Sequence, residues 1–125
     1  RVEDAICATK AAIKEGIVPG GGVALLNAAL KMEEENEGER VLGKAIISPY
    51  KTILDNAGVE QITIPAKDGD GINVVTGNMV NMIKAGIIDP LLVTKSALKN
   101  AASVAATILS TDCVINNLRI DEGSR

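Results

Sequence analysis

The chemistry this chain can offer starts from one backbone run and two carboxylates. Gly16-Ile17-Val18-Pro19-Gly20-Gly21-Gly22-Val23-Ala24-Leu25 sets a proline and three consecutive glycines between two helix-patterned segments. Glycine loses more backbone freedom on folding than any other residue, so a long glycine run reads as a loose linker. This run is short and closely flanked by apolar residues, which fits a tight, bare turn that opens a helix. The N–H groups of such a start point at whatever comes close. Asp4 lies near the beginning of the first segment, where an acid complements the helix dipole. Asp89 precedes Pro90, as a helix N-cap acid does. It also follows Gly86-Ile87-Ile88, so its carboxylate can face a ligand lying on those apolar residues. A carboxylate suits a pair of ribose hydroxyls, and each oxygen can serve one role.

Several chemistries are excluded by what is missing. A phosphate-binding Walker loop needs Gly-Lys-Ser/Thr, but Gly22 is followed by Val23-Ala24. A Rossmann fingerprint follows a strand, whereas these glycines follow a helical segment, and the third glycine position is Leu25. Asp68-Gly69-Asp70-Gly71 fails as a calcium loop. Its sixth position is Asn73 in place of glycine and its twelfth is Met79 in place of Glu, so it reads as a turn. There is no histidine, which removes Ser-His and Cys-His nucleophiles. Cys7 and Cys113 are too far apart in sequence to suggest a zinc site, so no metal ligands are expected. Both read as free, buried thiols in a reducing compartment. The formal net charge is −3 with both signs interspersed, and Tyr50 is the only aromatic residue. That leaves neither an electrostatic footprint nor stacking platforms for nucleic acid. No apolar run is long enough for a membrane span.

The positioning elements are mainly helical. Hydrophobic residues make up 46% of 125, enough for a core. With so few aromatics, that core should use Ala, Val, Ile and Leu in close helix-on-helix packing. Val2, Ala5, Ile6, Thr9, Ala12 and Ile13 share one face of a helix over Val2 to Glu15, stopped by Gly16. A second helix opens at Gly20–Gly22 and runs to about Glu34. The charge run Glu33 to Arg40 reads as a solvated helix end and loop. A third helix is predicted over Val41 to Ala57, with Leu42, Ala45, Ile46, Ile53, Leu54 and Ala57 inward. Pro49 should kink or break it. Val59 to Gly71 is irregular. Ile72 to Val75 and Asn78 to Asn81 form a small hairpin around Thr76-Gly77, and Met82 to Ala85 make one turn ended by Gly86. The fourth helix starts at Asp89-Pro90 and runs to about Ser110. Its buried set includes Leu92, Leu98, Ala101, Val104 and Ile108. Cys113 to Asn117 reads as a terminal strand, and Asn117 to Arg125 as a polar, frayed end. The fold class is therefore mainly α, a bundle of four main helices with a small β-hairpin.

Three sets of residues carry a family resemblance. They are Arg1-Val2-Glu3-Asp4-Ala5; Glu15-Gly16-Ile17-Val18-Pro19 with Gly20-Gly21-Gly22-Val23-Ala24-Leu25; and Gly86-Ile87-Ile88-Asp89-Pro90. The last continues into Val93-Thr94-Lys95-Ser96-Ala97-Leu98 and Asn100-Ala101-Ala102-Ser103-Val104-Ala105. In this order, over nearly the whole chain, they resemble the group I chaperonins, the GroEL type. The resemblance implies that 1–125 is the C-terminal half of the equatorial domain, the ATP-binding and ring-contact domain. The apical and intermediate domains would be absent, and the start at Arg1 also reads as a fragment.

The same resemblance implies roles residue by residue. Asp4 would position the water that attacks ATP. Gly20, Gly21 and Gly22 would lie against the nucleotide's sugar and base. Asn73, Val74 and Val75 match the adenine-contact stretch, Ile87 would pack on the base and Asp89 would bind the ribose. The family more often has Asn/Asp-Ala-Ala where this chain has Asn73-Val74-Val75. The segments Glu33–Arg40 and Val59–Asp68 look shortened, and the Gly- and Met-rich tail is absent. The phosphate loop Gly-Asp-Gly-Thr and the magnesium aspartate belong to the missing N-terminal half, so Mg2+, and K+ with it, would be bound there. The chain alone is therefore expected to be inactive, binding ATP weakly or not at all. Implied partners are neighbouring ring subunits and, through the absent domains, unfolded polypeptide and a co-chaperonin. The implied location is the cytoplasm in a bacterium, the mitochondrion or plastid in a eukaryote. Helices lacking their covering half-domain should make the fragment self-associate. The rival reading is a structural helical oligomerisation module without nucleotide binding, which leaves the three glycines unexplained.

Overall fold

The structure, a computed structural model, describes residues 1–111. The expected strand at Cys113–Asn117 and the polar end lie outside the described residues. In order, the elements are α1 (Val2–Glu15), β1 (Ile17–Pro19), α2 (Val23–Lys31), α3 (Glu37–Asn56), β2 (Asp70–Ile72), β3 (Met79–Asn81), β4 (Ile88–Pro90) and α4 (Leu91–Leu109). Four helices with short strands match the mainly α expectation. The chain forms two compact units, Arg1–Thr94 and Lys95–Arg125.

The core of the first unit lies where α2 packs on α3. Val23, Leu26, Tyr50, Leu54, Ile72 and Met82 form one buried cluster. Tyr50 is the largest fully buried side chain, at 1% exposure. The core is therefore not purely aliphatic: the single aromatic sits in its middle. Its hydroxyl donates to the Thr63 carbonyl at 2.9 Å, which gives the buried O–H a partner and ties down the irregular segment after α3.

α3 differs from its predicted form at both its start and its inward face. It begins at Glu37, so the second half of the charge run is helix and not loop. Asn36 and Glu39 form a reciprocal capping box: Glu39 N donates to Asn36 Oδ1 at 3.0 Å, and Asn36 N donates to Glu39 Oε2 at 3.2 Å. The helix continues through Pro49 without a break. Its buried face is Gly43, Ile46, Tyr50 and Leu54, while Leu42 and Ile53 are exposed. The face is rotated from the predicted one because it is centred on Tyr50, whose ring fills the contact with α2.

The helix termini around the glycine run come out as expected at one end and shifted at the other. α1 stops at Gly16, with φ of 88°. α2 ends at Lys31, earlier than predicted, with Leu30 half exposed. Cys7 is a free thiol but an exposed one, because α1 buries no residue.

Two antiparallel ribbons complete the first unit. β2 and β3 pair with register Asp70↔Asn81, Gly71↔Val80 and Ile72↔Met79. The hairpin is thus present but shifted, so 73–75 falls in its connecting loop and not in its strand. β1 and β4 pair as Ile17↔Pro90, Val18↔Asp89 and Pro19↔Ile88. This ribbon was not expected, since three-residue strands show no readable period and each contains a proline. Met82–Gly86 is a turn closed by Ile87 N donating to Met82 O at 2.8 Å, as read.

α4 begins one residue beyond Pro90, with Leu91 N donating to Gly16 O at 3.0 Å. Asp89 lies in β4 and so is not the N-cap. No residue of α4 is buried, contrary to the predicted inward set of Leu92, Leu98, Ala101, Val104 and Ile108.

Candidate functional site

Three segments distant in sequence meet around one cavity of about 410 Å3. Gly21 enters from the turn before α2. Asn73, Val74 and Val75 enter from the β2–β3 loop, and Ile87 from the residue before β4. Ile53 of α3, Ile72 and Met82 complete the wall. The volume falls within the roughly 300–1,000 Å3 of small-molecule sites. Its lining has one side-chain amide and no charged group. A flat, apolar heterocycle suits such walls, whereas phosphate finds no cation in them.

Each glycine of the run has a distinct reason to be glycine. Gly20 N donates to Ile87 O at 2.9 Å, and a Cβ there would sit 3.2 Å from the Ile87 carbonyl. Gly22 has φ of 79°, and its Cβ would lie 2.7 Å from Tyr50 N and 2.8 Å from its Cα. Both are bare because other backbone passes close. Gly21 has φ of 66° and is the member that faces the cavity. The turn therefore serves two purposes: Gly20 and Gly22 fix its position, and Gly21 presents the open backbone.

The loop at 73–78 is held by its first residue. Asn73 N donates to Asn78 O at 2.9 Å, and Asn73 O accepts from Gly77 N at 2.7 Å. Asn73 Oδ1 accepts from Val75 N at 3.0 Å. The amide oxygen is thus engaged in an Asx turn, which leaves the Nδ2 donors for a ligand.

Asp89 is placed differently. It is exposed and lines a smaller groove of about 190 Å3 between α1 and the β1–β4 ribbon, with Ala8, Thr9, Ala12 and Ile17. Ile87, two residues before it, lines the larger cavity. Asp89 is not part of the larger cavity's lining. Asp4 is exposed in the first turn of α1 and lines neither space. Among the described residues no group of acids, Cys or His could hold a metal ion. No described helix is long and apolar enough to cross a membrane.

The structure thus brings Gly21, Asn73, Val74, Val75 and Ile87 together, gives Gly20 and Gly22 to packing, and leaves Asp4 and Asp89 outside the cavity. Sequence reading missed Ile53, Ile72 and Met82. Ile53 was legible as an apolar residue flanking the core stripe of α3. Met82 carried no signal, because a lone methionine in a turn has no period.

The family model described as TCP-1/cpn60 chaperonin family matches residues 1–119. Among solved structures, the chain is similar to the crystal structure of a group III chaperonin in the open state, at 26% identity with a TM-score of 0.71. The match covers 84% of this chain and 25% of that one, so the chain spans about a quarter of its relative's length.

Proposed function

The chain belongs to the TCP-1/cpn60 chaperonin family, and from that premise we propose that it is the C-terminal half of an equatorial domain, supplying the base and ribose side of an ATP site. The observation that carries this is the convergence of Gly21, 73–75 and Ile87 on one apolar cavity. Its walls fit an adenine, the bare Gly21 backbone fits a close sugar, and the exposed Asp89 carboxylate fits a ribose diol. In this reading Asp4 orients the attacking water. As the family resemblance implies, triphosphate, Mg2+ and K+ would be held by residues outside these. Bound ATP would supply the phosphoanhydride whose hydrolysis drives folding of unfolded polypeptide in a ring of subunits, with a co-chaperonin. The motif runs around Gly20–Gly22 and Asp89 favour the group I pattern, with the compartments that it implies.

Asp89→Ala in the intact protein tests the site, because an exposed residue can be changed without a loss of folding. Removing a charge-assisted hydrogen bond of about 1.5–3 kcal/mol predicts at least a tenfold loss of ATP affinity. Unchanged affinity would sink the reading. The 125 residues alone should bind ATP weakly or not at all, and micromolar binding in titration calorimetry would overturn that.

A second reading, a helical oligomerisation module without nucleotide, is favoured by the exposed apolar residues of α1, Val2 at 76% and Ile13 at 81%. It predicts no effect of Asp89→Ala. The two can hold together: a nucleotide-binding segment with that face bare is expected to self-associate.

A further inference from the structure

The geometry points to Met82 as the residue that sets the depth of the cavity and so the size of base it accepts, an inference that rests on the nucleotide reading above. Met82 lines the cavity yet is only 2% exposed. Its side chain is held between two glycines from different segments. A Cβ on Gly21 would lie 2.9 Å from Met82 Cε, and one on Gly71 would lie 3.1 Å from its Sδ and 3.2 Å from its Cγ. Gly21 leaves room for this thioether, and Gly71 for both it and Val23, whose Cγ2 would lie 2.5 Å from a Cβ there. The backbone beneath it is fixed at both polar groups: Met82 N donates to Gly69 O at 2.9 Å, and Met82 O accepts from Ile87 N at 2.8 Å.

Methionine is ordinarily the adaptable residue of a core, with three rotatable bonds. Here burial in the cluster with Val23, Leu26, Tyr50, Leu54 and Ile72 restricts that freedom. The thioether forms the floor, with Gly21 beside it and Ile87, whose amide donates to the Met82 carbonyl, as the adjacent wall. A polarisable sulfur also makes favourable contact with an aromatic ring, which suits a heterocycle stacked there. Because the floor is packed into the core, shortening this side chain converts into room for a larger base.

The test uses the intact protein with ATP and with three analogues, enlarged at N6, C2 or C8 of the base. Met82→Ala should raise the affinity for at least one analogue relative to ATP by about tenfold or more, the size of discrimination that a small change in an apolar pocket gives. Met82→Leu, which keeps the volume, should leave the ratios within a few-fold of the unmodified protein. Asp89→Ala is run alongside. If it leaves ATP affinity unchanged, the nucleotide reading itself fails. If it weakens ATP while Met82→Ala leaves every ratio unchanged, the site stands and the floor assignment fails. Should Met82→Ala not fold, methyl NMR of the unmodified protein decides. ATP should move the Met82 ε-methyl resonance upfield by ring current, and ribose triphosphate should not. An unmoved methyl with ATP bound overturns the assignment.

Discussion

The glycine turn and α1 lie next to each other in the chain and are packed in opposite ways. A Cβ on Gly22 would sit within 2.8 Å of the Tyr50 backbone, and Gly20 is hydrogen-bonded to Ile87. α1 has a regular apolar face and buries none of it. The contrast separates two kinds of sequence signal. Helical periodicity reports a face that must be covered, without saying by what. A glycine run reports a close approach, and the approaching group can lie far away in sequence. In α1 the face is present and the described residues do not cover it; at the turn the covering groups are Tyr50, Ile87 and Met82.

The comparison breaks most sharply at Gly22. Gly22→Ala adds a Cβ at positive φ against backbone atoms of α3, which cannot move as a side-chain tip can. The expected cost is about 3 kcal/mol or more, a large share of a marginal stability. Chemical denaturation should show the midpoint collapse, and near-normal stability would remove the packing reason given for this glycine.

Tyr50→Phe probes the other side of the same contact with a smaller effect. It removes the hydroxyl bonded to Thr63 O and leaves that partially buried carbonyl short of a donor, at about 1 kcal/mol. Burial raises the Tyr50 hydroxyl above its ordinary pKa of 10.0. The folded state therefore holds the proton more tightly than the unfolded one. The stabilisation is complete below the unfolded value and is lost as pH climbs past 10.0 and through the higher folded value. Stability should fall with pH in that alkaline window, and the fall should be shallower in Tyr50→Phe. Equal slopes would show that the hydroxyl does not titrate differently on folding.

Much of the candidate cavity's lining was legible and the reasons for the rest are physical. Gly21, Asn73–Val75 and Ile87 were identified through family motifs and do share a cavity. Without those motifs, the glycines said only that something came near. The β1–β4 ribbon was illegible, since Ile17–Pro19 and Ile88–Pro90 are too short for a period and pair across most of the chain. The same shortness placed Asp89 at a helix cap when it belongs to a strand. The start of α3 was legible. Asn36 followed three residues later by Glu39 is a capping signature, but the surrounding charge run reads as solvated loop. Asn36→Ala should cost about 1 kcal/mol by denaturation. A negligible change would mean that the acidic first turn, Glu37 and Glu39, starts the helix without its cap.

The smallest effect on stability, and the sharpest test of the contrast, comes from α1. Ile13 is 81% exposed, so Ile13→Ser should change unfolding free energy by no more than about 0.5 kcal/mol. The same substitution removes apolar area from a regular face that the described residues leave uncovered, alongside Val2 and Ile6. Light scattering of the 125-residue chain should therefore show less self-association in Ile13→Ser at matched concentration, with stability unaltered. A loss of stability instead would mean that α1 is packed where the structure leaves it bare. No change in either quantity would place the associating surface elsewhere and leave α1's periodicity unexplained.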